Sequence, residues 1–315
     1  MPAQAFDDPD TSPRPPATNA LRRMRPLLGT YVEIALHGPQ PGGALTIERA
    51  IERAFAAVAQ AQRLWSFQDP DSELTRLNRH PWQRVPISPA TGRLLRLARA
   101  LAQLSEGRFN PTLGGRLVAQ GALPDHGGPA ALPIGNADDL ELGVGWARLN
   151  RPVRLTLDGI AKGYAVDQAV RLLRGAGVRA GWVNAGGDLR VFGDVTVPVR
   201  RREADGRLQP LGALRNGAIA TSVSGPTVEL GGAFPGRLLG PRGQPAAPGT
   251  WTVLAPRAWR ADALTKVAAN CLAEERAAWI ERLGGRLVEQ PHSAATAAPT
   301  AVPTAMVRPP EIVLP

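Results

Sequence analysis

Lysine is almost missing from this 315-residue chain: of 37 lysines and arginines, only Lys162 and Lys266 are lysines. Where a lysine does stand, the position takes a compact ammonium on a flexible stem rather than a planar fork. Cysteine is scarcer still. A lone Cys271 excludes an internal disulfide framework and any paired-cysteine metal site. The four histidines, His37, His80, His126 and His292, are scattered in predicted turns, and no HExxH occurs, which argues against a zinc site or a histidine-based triad. No apolar run approaches the length of a membrane span, so stable membrane insertion is not expected. Common nucleotide signatures are also missing. GIAKGYA lacks the spacing and the Ser/Thr of a Walker A loop, and no G-x-G-x-x-G follows a strand.

What is present is the composition of a folded protein, with 43% hydrophobic and 20% charged residues. The net charge of +10 raises the question of nucleic acid. Two short clusters stand out, Arg22-Arg23-Met24-Arg25 and Arg200-Arg201-Arg202, but the other arginines are spaced singly along predicted helix faces. Aromatics make up only 5%. A solvated arginine-rich surface, or an acidic or phosphorylated small ligand, suits this better than a nucleic-acid partner.

Residues 1–21 are proline-rich and aperiodic and read as a disordered leader without a signal-peptide pattern. The sequence as it stands predicts a cytoplasmic protein, and a different N-terminus would admit a periplasmic one. TYVEIALHG alternates as a strand, whereas ALTIERAIERAFAAVAQAQRLWS and ATGRLLRLARALAQLSEG have helical spacing. Residues 120–140 read as a Gly/Pro-rich loop. VRLTLD is predicted as a strand, GIAKG as a turn, YAVDQAVRLLRGAG as a helix and GWVNAGGDLRVFG as strand, glycine turn, strand. Such a unit can present a helix N-terminus to an anion. GAIATSVSG and TWTVLAP read as strands and ADALTKVAANCLAEERAAWIERLGG as a helix. The Ala/Pro-rich stretch 291–315 is predicted to be mostly disordered.

Seven blocks occur in one order: RPLLGTYVEI, WSFQDPDSELTRLN, FNPTLGG, LDGIAKGYAVD, VNAGGD, AIATSVSG and ADALTKV. In these the chain closely resembles the FAD:protein FMN transferase (ApbE) family, from about Arg22 to about Gly285, with LDGIAKGYAVD and VNAGGD the most specific. The resemblance implies one domain over 22–290. Its fold would be α+β, two-lobed and T-fold-related, with FAD in a cleft between the lobes. It also implies cleavage of FAD at the pyrophosphate, assisted by Mg²⁺. FMN would pass to a Thr or Ser of an acceptor flavoprotein through a phosphoester, and AMP would leave. A flavin-binding homologue without activity and an FAD pyrophosphatase using water are the alternatives.

Site residues follow from the same resemblance. Ser66 and Phe67 match a segment whose ring packs on the flavin, and Phe67 reads equally well as core. Ser72, Glu73 and Asn78 match a block near flavin and metal, although Ser72 and Glu73 also suit a helix N-terminus. Asn110 and Thr112 lie in a block that usually reads Asp-Pro-Thr. Gly159, Lys162 and Gly163 form the nucleotide loop, with the Ala161 carbonyl a metal ligand. Asp188 is expected at the nucleotide, and Thr221 and Ser222 beside it. Asp262 is expected to bind metal or to cap the following helix.

Three departures stand out. Lys266 occupies a position where the family commonly has a metal-binding Thr, leaving two expectations: Thr265 supplies the oxygen, or the ammonium neutralises the pyrophosphate in the metal's place. Arg237 and Gly240 stand where many members have a His and an Asp. ATSVSG replaces ATSG.

Overall fold

A computed structural model describes residues 21–38, 43–203, 206–224, 238–288 and 312–314. The chain opens with strands β1 (Leu21–Leu27) and β2 (Thr30–Leu36), then α1 (Ala44–Trp65), α2 (Glu73–Arg79), β3 (Val85–Pro86), α3 (Pro89–Leu104), α4 (Gly114–Ala119), β4 (Leu140–Leu142) and β5 (Trp146–Leu149). It continues through α5 (Ala161–Gly175), β6 (Gly181–Ala185), β7 (Asp188–Phe192), β8 (Val197–Arg202), β9 (Leu208–Leu214) and β10 (Ala218–Ser224). It closes with β11 (Gly249–Ala255), α6 (Ala258–Ala269), α7 (Ala273–Arg282), β12 (Arg286–Leu287) and β13 (Ile312–Leu314).

The fold is mixed α and β, as expected. A seven-stranded sheet of order β1-β2-β6-β7-β10-β11-β12 is antiparallel throughout. Strand alternation divides its side chains. Val32, Ile34, Val183, Ala220 and Val253 join the helices in one core, while Trp182, Leu189, Ile219 and Leu254 meet a small sheet on the opposite face. That small sheet is β13-β8-β9. A second small sheet, β3-β5-β4, accompanies α2 and α3. The stripe Ile47, Ile51, Ala54, Phe55, Val58 and Trp65 explains α1: its period of three and four gives one face to the core.

Several sequence expectations change. VRLTL is extended and largely buried but belongs to no sheet, and Asp158 after it is exposed to solvent; the Asn78 side chain takes the place of a strand partner. Its amide nitrogen donates to Leu155 O at 2.9 Å and its oxygen accepts from Leu155 N at 2.7 Å. The long C-terminal helix is two helices, because Asn270 ends α6 and its side chain donates to Arg108 O and Leu239 O instead. Leu21, the last residue of the expected leader, already belongs to β1, and the rest of that stretch lies outside the described residues. Within the Ala/Pro-rich tail, Ile312–Leu314 form a parallel strand on β8, too short to carry a period in the sequence. The arginine clusters are engaged within the chain. Arg22 pairs with Glu33, Arg23 with Glu48 and Arg25 with Glu52. Arg201 is 1% exposed, its guanidinium held by Glu203, Gln209 and Thr252 between the two sheets.

Candidate active site

The GIAKG segment delivers the first turn of α5, so Lys162 lies inside the helix rather than in a loop before it. Two contacts fix this end of α5. Gly163 N donates to Asp262 Oδ2 at 3.1 Å, so the wholly buried Asp262 caps α5 from a different helix. A Cβ on Gly163 would lie 2.4 Å from the Ala258 carbonyl oxygen, so only glycine allows α5 and α6 to approach this closely. Asp167, which the sequence reading passed over, adds a third tie: it pairs with Arg190 of β7 and accepts from Trp259 N at 3.0 Å. Its only signal was an acidic residue after the apolar Tyr164-Ala165-Val166 of the helix.

Around this end stand three carboxylates and two ammoniums. β7 begins at Asp188, placed by the hairpin turn through Gly186 and Gly187, both with positive φ. Asp188 Oδ2 is buried, has no hydrogen-bond partner, and lies 3.6 Å from Lys162 Nζ. Burial, reinforced by Asp262 and opposed by Lys162, pushes the Asp188 carboxyl up to about 6. The same pair holds Lys162 protonated well above its ordinary range, since the Asp188 charge outweighs the cost of burial. Asp158 was also not singled out. It keeps contact with solvent, yet crowding by protein raises its carboxyl, while a hydrogen bond from Thr156 Oγ1 at 3.1 Å opposes the shift.

The second lysine sits beside these groups. Lys266 Nζ donates to Asp262 Oδ1 at 2.5 Å, Ser222 Oγ at 3.1 Å and Asp262 O at 3.2 Å. Its stem lies along Gly159, where a Cβ would be 3.4 Å from Lys266 Cε and 3.3 Å from Phe109. Thr265 Oγ1 donates to Asp262 O at 2.6 Å and lies 2.7 Å from Ser222 Oγ.

The other expected residues are placed elsewhere or otherwise occupied. Phe67 is 4% exposed and packs near His126 in the core. Ser66 accepts from Gln68 N. Ser72 caps α2 by accepting from Thr75 N at 3.0 Å. Glu73 caps the neighbouring α3, its carboxylate accepting from Ser88 N and Ser88 Oγ. Asn110 Oδ1 accepts from Thr112 N and Thr112 Oγ1, a closed local turn with Thr112 fully buried. Thr221 pairs with Thr252 at 3.0 Å on the face toward Arg201, whereas Ser222 points to α6, since adjacent strand residues face opposite ways. Ala161 opens α5, where a helical carbonyl normally accepts the amide four residues on. Gly240 N donates to Gln244 O in a tight turn. Arg237 lies outside the described residues.

A divalent cation does not fit the oxygens expected to hold it. Asp262 offers one carboxylate oxygen to a backbone N–H and the other to an ammonium, and the Thr265 hydroxyl is engaged with Asp262 O and Ser222. Among the described residues, no cluster of three or more His, Cys, Asp or Glu side chains is arranged for a metal ion. No helix among them is long and apolar enough to cross a membrane.

Comparison with known proteins places this geometry. A curated FAD:protein FMN transferase from Rhodobacter capsulatus is 32% identical over 181 residues, 53% of this chain and 34% of that protein. Another from Treponema pallidum is 27% identical over 237 residues, 67% of this chain and 64% of the relative. The chain thus spans about a third and somewhat under two thirds of these relatives. The apo crystal structure of Pseudomonas stutzeri flavinyl transferase ApbE shares the fold, with a TM-score of 0.72 at 21% identity over 87% of this chain and 93% of that one. The sequence pattern of the ApbE family matches residues 28–288, from the turn after β1 to the end of β12, and the chain belongs to that family.

Proposed function

We propose that this protein is a flavin transferase: it cleaves FAD at the pyrophosphate, releases AMP, and leaves FMN joined by a phosphoester to a Thr or Ser of an acceptor flavoprotein. Family membership and the names of its relatives support the reaction class. The observation that carries the reading is one charge cluster, in which the Lys162 ammonium at the N-terminal end of α5 lies 3.6 Å from a buried Asp188 oxygen that has no hydrogen-bond partner.

The chemistry matches those groups. An acceptor hydroxyl attacks the FMN phosphorus, the bridging P–O bond breaks, and AMP carries the electron pair away. Negative charge grows on the phosphate oxygens, where Lys162 and the positive end of the α5 dipole are placed to stabilise it. The attacking hydroxyl must lose a proton. Asp188, with a proton affinity raised by burial, is suited to accept it. The family-implied Mg²⁺ has no step here, because the Asp262 and Thr265 oxygens expected to hold it are engaged within the chain.

The test mixes purified protein with FAD, alone and with an FMN-binding acceptor domain, and reads AMP by chromatography and the acceptor by in-gel flavin fluorescence. AMP appearing only with acceptor, together with a fluorescent acceptor band, is expected. Intact FAD in every tube overturns the proposal, and AMP without acceptor replaces it with hydrolysis. Lys162→Ala is expected to weaken FAD binding by about tenfold or more, the worth of one charged hydrogen bond to phosphate.

A further inference from the structure

We infer that Lys266 is a built-in cation that fills the oxygen cage where a divalent ion would otherwise sit, so that the site handles its anionic ligand without a metal at that position. An ammonium has three hydrogens and no acceptor. All three are directed at oxygens of one cage: Asp262 Oδ1, Asp262 O and Ser222 Oγ. Thr265 Oγ1 closes the cage from the α6 side through its contacts with Asp262 O and Ser222 Oγ. One carboxylate, one carbonyl and two hydroxyls make the hard-oxygen set that Mg²⁺ or Ca²⁺ accepts. Here a covalently attached positive charge holds them instead.

Two further observations separate this from a surface ion pair along a helix. Asp262 is completely buried, so its charge needs a permanent partner, and its remaining oxygen is already taken by Gly163 N. Lys266 also lies beside the N-terminal end of α5. Its side chain is 18% exposed and its stem packs on Gly159, directly before the α5 turn that carries Lys162. Because its hydrogens are engaged, Lys266 acts on a bound anion through its charge rather than through a new hydrogen bond. Two ammoniums at one site then supply the neutralisation that pyrophosphate cleavage generally draws from metal ions. The flavin-transferase reading enters only through the identity of the anion; the cage and its cation stand apart from it.

The experiment uses the full chain after chelation and reads Mn²⁺ binding by electron paramagnetic resonance, with FAD affinity measured separately in EDTA and in Mg²⁺. The wild type is expected to bind no Mn²⁺ at this cage and to hold FAD equally well in both buffers, within about twofold. Lys266→Ser should open the cage and bind Mn²⁺ at least about tenfold more tightly than the wild type, and Lys266→Ser/Asp262→Asn should lose that binding again. Wild-type Mn²⁺ binding that Asp262→Asn abolishes would overturn the inference, as would FAD binding that requires Mg²⁺. Should the Lys266→Ser protein not fold, the wild-type measurements decide alone. Failure to bind FAD at all would count against the flavin reading, while the Mn²⁺ arm would still judge the cage.

Discussion

Replacing Gly163 by alanine tests the join between α5 and α6 on which the cluster of Lys162, Asp188 and Asp262 depends. The added methyl would lie 2.4 Å from the Ala258 carbonyl oxygen, 2.6 Å from its carbonyl carbon and 2.8 Å from Trp259 Cα. These are backbone atoms, so no rotamer change relieves the overlap. The helices must separate by about 1 Å to reach ordinary contact. Overpacking of this kind costs about 1–3 kcal/mol. Separation also stretches the Gly163 N–H bond to Asp262, and weakening a hydrogen bond to a fully buried group adds about 1–3 kcal/mol. Alanine's better helix propensity returns about 1 kcal/mol. The net expectation is a loss of about 1–5 kcal/mol, or about 2–20 °C in melting temperature. FAD affinity should fall as well, because Lys162 moves with the helix end. Urea unfolding followed by circular dichroism, with flavin fluorescence titration, measures both effects. Gly175→Ala in the same helix is the control: its Cβ would meet nothing within 4 Å, and stability should hold or rise. A Gly163→Ala protein within about 0.5 kcal/mol of the wild type would refute the close-approach account.

Further outcomes follow from other sites. The Asp188 carboxyl titrates near 6 in the folded protein and near 4 in an unfolded chain, so between those values the native state holds the extra proton. Its contribution to stability therefore falls as pH rises from about 4 to 6. Asp188→Asn should remove that slope and gain most relative to the wild type at pH 7. Parallel urea midpoints for the two proteins from pH 4 to 7 would refute the assignment. Asn78→Ala leaves both backbone groups of Leu155 buried without their partner and should cost about 2–5 kcal/mol; calorimetry showing an unchanged melting temperature would sink this role. Phe67→Leu, a core change at a side chain 4% exposed, should lower stability by about 1 kcal/mol and leave FAD affinity unaltered; a tenfold affinity loss would place the ring at the flavin.

Local pattern made much of the fold legible. The apolar stripe from Ile47 to Trp65 specifies α1 because a helix repeats every 3.6 residues, and the alternation in TYVEIAL specifies β2 because a strand repeats every two. The two glycines of NAGGD mark the hairpin because both adopt positive φ. The rarity of lysine singled out Lys162 and Lys266, and the four-residue spacing of Asp262 and Lys266 already placed them on one helix face. What the sequence could not determine depends on pairing across distance. VRLTLD alternates like a strand, but an Asn side chain 77 positions away, rather than a neighbouring strand, satisfies Leu155. Thr221 and Ser222 look equivalent in a motif, yet the sheet's orientation against α6 sends only Ser222 to that helix. Glu73 serves the residue that caps the next helix, fifteen positions later, which no local rule specifies. The cage around Lys266 needs Ser222 from β10 and Asp262 from α6, residues brought together only when the helix packs on the sheet. Periodicity is a property of neighbours along the chain, whereas hydrogen-bond satisfaction of buried groups is decided by whichever atoms the completed core places beside them.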